Sequence, residues 1–199
     1  MSRVRTRPTR DETREKLFEA AAGVFGEHGI GAATIEMIAA AAGLTRGAFY
    51  SNFDTKDELI VAMLEDHVER SLQHHRELLV QHSTPADFVA ALRATERSRH
   101  DPLGRAPLLH IELILYVARA EKRRPELAKR LRARRKLVAD IVVATTRRAP
   151  VGDPAWAAAM LLALEDGFRL HRLIDPESTP ADSFFRAVGE LMKLLGGKS

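Results

Sequence analysis

The chain has 199 residues, no cysteine and a formal net charge of +4, enough length for one good core or a small module fused to a larger one. Without cysteine, disulfides, thiolate metal sites and cysteine nucleophiles are excluded, and a reducing cytoplasm is the simplest home. No run of eighteen apolar residues occurs, so no membrane span is expected, and no apolar stretch follows Arg3, Arg5, Arg7 and Arg10 as a secretory signal would require.

Those four arginines face no acid within the first ten residues, and a basic arm of this kind suits a polyanion such as DNA. Threonine caps and apolar spacing then mark an all-α chain. Thr9 with Glu12, and Thr55 with Glu58, fit capping boxes. Thr84-Pro85, Asp153-Pro154 and Thr179-Pro180 place a capping side chain before a proline at the first helical position. Helices are predicted near 9–28, 34–42, 45–53, 55–82, 85–100, 106–120, 125–148, 154–172 and 180–195, about nine in all. Residues 119–148 hold twelve Arg or Lys against Glu121, Glu126 and Asp140. Their interleaving with Leu127, Leu131, Leu137, Val138 and Ile141 reads as a solvated helix face, with a second nucleic-acid patch as the alternative.

The segment 34–53 carries the clearest signal. Ile35, Ile38, Ala39 and Ala42 form one stripe, Gly43 can close the helix in the left-handed conformation, and Thr45 caps the next. Two short helices around a tight glycine turn make a helix-turn-helix, whose second helix enters the major groove. Phe49 and Phe53, four residues apart, are its inner stripe. Thr45, Arg46, Gly47, Ala48, Tyr50, Ser51 and Asn52 are left on or near the outer side.

Residues 43–59, Gly-Leu-Thr-Arg-Gly-Ala-Phe-Tyr-Ser-Asn-Phe-Asp-Thr-Lys-Asp-Glu-Leu, resemble the signature of the TetR family of bacterial transcriptional regulators. The likeness runs back through Ile38 and Ile35 to Gly29 and Phe25, covering residues 10–64. Asn52 departs from it, since the family often has histidine or tyrosine there. Further on, Ala163-Leu-Glu-Asp-Gly-Phe-Arg-Leu170 and Asp175-Pro176 resemble the family's penultimate helix. The resemblance implies that Thr34, Tyr50, Asn52 and Lys56 hold phosphates, and that Thr45, Arg46 and Ser51 face base edges, Arg46 as a bidentate partner for guanine. Gly47 would let the helix approach the DNA backbone, with a merely tolerated helix glycine as its alternative, and Tyr50 has half-buried packing as its own. The implied organisation is a DNA-binding domain over 1–54, with its basic arm, and a ligand-binding and dimerisation domain over 55–199.

The last two helices would make a homodimer. Ala157, Met160, Leu161, Leu164 and Phe168 recur at helical spacing, as do Phe184, Val188, Leu191 and Leu195, and stripes this wide suit a four-helix bundle between two copies as well as an internal core. For a small apolar or amphipathic effector, Leu109, Leu113, Tyr116, Met160 and Phe168 supply the apolar wall, and His110, Glu112 and His171 the embedded polar groups. Internal ion pairs such as Glu165 with Arg169 are the competing explanation for such polar residues. Neither metal nor cofactor is expected: His74 and His75 are adjacent and point apart, and His75 and His82 are separated by a rise of roughly 10 Å. No catalytic motif is present, so the chain is expected to be no enzyme. The expected function is a cytoplasmic repressor released from a palindromic operator by a small molecule. An effector-independent DNA binder, and an enzyme with an appended DNA-binding module, are the alternatives.

Overall fold

The computed structural model describes residues 9–82, 84–95, 103, 106–122, 124–145 and 153–195. Those residues form helices and no strands, as the capping and periodicity imply. In chain order the helices are α1 (Arg10–Ala32), α2 (Ile35–Ala41), α3 (Arg46–Tyr50), α4 (Lys56–Gln81), α5 (Pro85–Thr95), α6 (Pro107–Arg119), α7 (Arg124–Thr145), α8 (Pro154–Ile174) and α9 (Ser183–Leu195). The basic arm through residue 8, and the expected helical stretches 96–100 and 146–148, lie outside the described residues.

Local chemistry accounts for most of the boundaries. At the start of α1 the Thr9 hydroxyl accepts from the Glu12 N–H, and the Glu12 carboxylate accepts from the Thr9 N–H at 2.8 Å. Gly29 breaks the same helix with φ 74°, where the expected helix stops. The second capping box differs from expectation. Thr55 accepts from the Glu58 N–H at 3.1 Å, but the Glu58 carboxylate reaches past it to the Asp54 N–H at 2.7 Å. Thr84 accepts from the Asp87 N–H at 3.2 Å and Asp153 from the Ala155 N–H at 2.9 Å, as expected of helix caps. Thr179-Pro180 does not open a helix: residues 180–182 are a turn and α9 begins at Ser183. Asp182 stands at that boundary, its carboxylate 2.7 Å from the Arg93 guanidinium of α5.

The chain divides into two compact units, with the cut inside α4 between Glu65 and Asp66. The first joins α1, α2, α3, the start of α4 and α6. Leu17, Phe25, Ile38, Phe49, Leu59 and Leu113 are fully buried in it, each side chain worth about 1.5–3 kcal/mol of transfer free energy. The second unit joins the rest of α4 with α5, α7, α8 and α9. Its longest packing is α7 along α8, and α9 touches both α8 and α5. Leu78, Phe88 and Ile141 form a core cluster where α4, α5 and α7 meet.

Candidate nucleic-acid interface and ligand cavity

The turn between α2 and α3 is built from backbone bonds that only a left-handed residue allows. Gly43 has φ 66°, and its N–H donates to Ala40 at 3.0 Å while the Leu44 N–H donates to Ala39 at 2.9 Å. This pairing is the Schellman closure of a helix. Thr34 caps α2 by accepting from the Met37 N–H at 3.2 Å, and Thr45 caps α3 by accepting from the Ala48 N–H at 3.1 Å. Beneath α3, Phe49 packs on Phe53 with ring centroids 5.9 Å apart, and Phe53 on Phe18 at the same distance. The Arg14 guanidinium covers the Phe53 ring at 4.7 Å.

With its inner face anchored, α3 presents Thr45, Arg46, Gly47, Tyr50 and Ser51 as exposed residues. Arg46 is engaged on both sides. Its guanidinium lies 3.0 Å from the Glu36 carboxylate of α2, donates to the Tyr50 hydroxyl at 3.2 Å and sits over the Tyr50 ring. The Tyr50 hydrogen bond, then the Glu36 charge, raise its already high pKa. Tyr50 rests edge-on against Phe49 yet stays 41% exposed, so it both packs and reaches solvent. Gly47 has open space where a Cβ would stand, apart from the Thr45 hydroxyl at 3.7 Å.

Three residues of the expected set carry internal bonds that spacing alone does not reveal. Ser51 donates its hydroxyl to the Gly47 carbonyl at 2.9 Å, and Asn52 donates its amide to the Ala48 carbonyl at 2.9 Å. The Asn52 Oδ1 is buried and has no hydrogen-bond partner among the described residues. Lys56 turns its ammonium onto the carbonyls of Ile30, at 2.6 Å, and Ala33, at 2.8 Å. Two of its three donors thereby tie the first residue of α4 to the α1–α2 junction.

The expected effector residues divide between the two units. Leu109, His110 and Leu113 are buried on α6 in the first, Tyr116 donates to the Asp57 carboxylate at 2.9 Å, and Glu112 is exposed. Met160, Phe168 and His171 lie on α8 in the second, where Met160 and His171 are exposed. The second unit holds a mostly apolar cavity of about 110 Å³ lined by none of these eight. Phe88 and Leu92 of α5, Ile141 and Val142 of α7, and His75 of α4 form part of its wall. Leu161, Phe184 and Val188, expected at a dimer face, close it from α8 and α9, with Glu165 and Arg169 at its polar edge. Phe168 instead borders a shallow site beside α9. Leu164 is half-buried, and the side chains of Leu191 and Leu195 lie outside the described residues.

A different face of α8 is left uncovered. Trp156, Met160, Ala163, Gly167, Leu170 and Ile174 follow alternating steps of four and three, and Trp156 and Ile174 are 64% and 79% exposed. Among the described residues no helix is long and apolar enough to cross a membrane, and no group of three metal-ligating side chains occurs.

Comparison with known proteins bears on the same two regions. A family model described as bacterial regulatory proteins, tetR family, matches residues 17–63, and a tetracyclin repressor-like C-terminal domain model matches residues 81–194. The regulator TtgR of Pseudomonas putida is 38% identical over 80 residues, 37% of this chain and 38% of its own length. The match thus spans well under half of that relative. Among solved structures, the SmeT–triclosan complex has TM-score 0.67 at 29% identity, covering 92% of this chain and 90% of that one. The reduced form of Escherichia coli NemR has TM-score 0.68 at 22% identity, covering 89% and 96%, a likeness of fold.

Proposed function

Because the chain belongs to the TetR family of bacterial regulatory proteins, we propose that it is a dimeric repressor, released from a pseudo-palindromic operator by a small molecule. The carrying observation is α3. It is capped by Thr45, pinned underneath by Phe49 and Phe53, and open on the side that bears Arg46, Gly47, Tyr50 and Ser51. A short helix anchored in this way enters the major groove with its first turn against base edges. Arg46 reads a guanine, Thr45 and Ser51 neighbouring edges, and Thr34, Tyr50, Asn52 and the third donor of Lys56 hold phosphates.

The second copy docks on the uncovered face of α8. Heptad-like spacing places Trp156, Met160, Leu170 and Ile174 along one seam, and Ala163 with Gly167 lets two helices approach closely at its middle. Leu161, Phe184 and Val188 line the cavity within one chain, which favours a contact centred on Trp156, Met160, Leu170 and Ile174. The effector, an apolar or amphipathic molecule, occupies the cavity of the second unit. SmeT, solved with triclosan, supports this reading by a likeness that covers 92% of the chain. The chain then acts by binding, in the compartment that holds its DNA, and not by catalysis.

Selection of random-sequence DNA by the purified chain tests the proposal. The enriched sequences should share a pseudo-palindrome with half-sites about one helical turn, or a multiple, apart. Enrichment without symmetry or sequence preference would overturn it. Enlarging Val142 to Trp should fill the cavity, abolish effector response and leave operator binding nearly intact.

A further inference from the structure

The cavity of the second unit joins an apolar wall to a polar edge whose charges cancel. Its described lining residues are apolar except for His75, Glu165 and Arg169. Three of the apolar ones are phenyl rings: Phe184 meets Phe185 edge-on with centroids 5.3 Å apart, and Phe88 lies 6.3 Å from the His75 imidazole. Rings gain most from tilted or edge-on partners, so such a wall favours a further ring. At the edge, Glu165 and Arg169 are paired at 2.9 Å one turn apart on α8. The other Glu165 oxygen lies 2.8 Å from the Arg134 guanidinium of α7, which is buried and no part of the described wall. Asp166 interacts with the same two guanidiniums. One carboxylate thus matches one guanidinium on the wall, and two match two in the cluster.

We infer that the cavity selects an uncharged, single-ring hydrophobic molecule, and that the closed ion pairs of Glu165 are what reject charged ones. This deepens the reading of the second unit as an effector site and rests on it. A carboxylate head would have to draw Arg169 away from Glu165, and an ammonium head would have to draw Glu165 away from both guanidiniums. Either head also leaves water for an apolar wall without a countercharge of its own, whereas a small neutral group carries a far smaller desolvation cost. Size sets the second limit. An enclosed apolar space of roughly 150 Å³ accepts one benzene ring, and this cavity is smaller, at about 110 Å³. A second ring would require Leu161, Phe184 or Val188 to move.

Calorimetry on the full chain tests both limits with benzyl alcohol, benzoate, benzylamine and 4-phenylbenzyl alcohol. It is run at pH 8, above the ordinary imidazole pKa. The first three probes share a ring and differ in head-group charge, and the fourth adds only a second ring. Benzyl alcohol should bind about 10-fold or more tighter than benzoate or benzylamine. The two-ring alcohol should bind more weakly than benzyl alcohol, although its larger apolar area would strengthen binding to an open surface. Glu165→Gln leaves guanidiniums in excess and should move the benzoate-to-benzylamine affinity ratio about 10-fold toward benzoate. Arg169→Gln keeps the Glu165–Arg134 pair, is the milder change, and should move the same ratio about 10-fold toward benzylamine. A packing defect would weaken both charged probes alike, so opposite shifts of the ratio identify charge selection. Either charged probe binding as tightly as benzyl alcohol, or the two-ring alcohol doing so, would overturn the inference. So would no binding by any probe, or a ratio that neither variant moves. Operator release is read in parallel. Binding in the expected order with operator affinity unchanged upholds the selectivity and removes the effector role. Release by another molecule, while none of the four binds, does the reverse.

Discussion

Tyr116 donates its hydroxyl to the Asp57 carboxylate across 2.9 Å, which bonds α6 to the first turn of α4, one residue from Lys56. Burial first, and the Asp57 bond second, raise the Tyr116 pKa above its ordinary 10.0. The neutral phenol is thus favoured in the fold. Its contribution is fully present below pH 10.0 and is lost as pH rises through the raised folded value. Tyr116→Phe should cost about 1–3 kcal/mol in chemical denaturation near neutral pH, and the gap to wild type should narrow at strongly alkaline pH. A gap independent of pH would show that the hydroxyl does not stabilise the fold through this bond.

Lys56 separates two roles that its position in the signature merges. Removing its ammonium strands the carbonyls of Ile30 and Ala33, so Lys56→Ala should lower stability by about 1–3 kcal/mol. Its operator affinity should fall as well, because the α1–α2 junction loses its tie to α4. A pure phosphate contact would behave otherwise, with stability unchanged and the salt slope of binding reduced by about one. Thermal melts and salt titrations of the one variant distinguish the outcomes.

The same residues show what the sequence makes legible. Helix caps at Thr9, Thr34, Thr45, Thr84 and Asp153, and the left-handed Gly43, are local devices spanning two to five residues, and a reader of the chain can find them. Phe49 and Phe53 follow from spacing for the same reason. The Lys56 clamp joins residues 23 and 26 positions apart, and the Glu36–Arg46 pair spans the turn, so neither leaves a periodic trace. Helix α8 hides its orientation differently. It is apolar around most of its circumference, and nothing in spacing decides whether Leu161 or Met160 faces inward. Packing against α7 and α9 decides it, placing Leu161 on the cavity and Met160 in solvent. On α6, Glu112 sits among large hydrophobes in sequence but on the exposed face in space, beside exposed Leu108 and Leu115.

The uncovered seam on α8 predicts the assembly. A charge placed in it loses the apolar contact and repels its symmetric copy, so Trp156→Glu combined with Ile174→Glu should yield monomers in sedimentation velocity at micromolar concentration. Each chain should keep its helical circular dichroism, because both side chains are largely exposed within one chain. Dimers that persist through both substitutions would move the contact elsewhere.

Glu36 lies 3.0 Å from Arg46, so the residue proposed to read a base is paired with a carboxylate of α2. Glu36→Gln should strengthen binding to random DNA a few-fold at low salt, since it removes a negative charge beside the Arg46 guanidinium and leaves Tyr50 as its neutral partner. Operator affinity should gain less, which narrows the ratio of specific to non-specific binding. Anisotropy titrations on both DNAs measure that ratio, and an unchanged ratio would leave Glu36 without influence on Arg46.

Arg46 itself offers the most direct test of the account. Wild type and Arg46→Ala are titrated against the selected operator and against a set in which each base pair of the half-site is changed in turn. The account predicts a loss of about 1–3 kcal/mol per half-site for the variant on the selected operator. It also predicts that discrimination disappears at one symmetric pair of positions and persists at the others. A uniform loss across every sequence, random DNA included, would contradict base reading by α3 and leave Arg46 a phosphate contact.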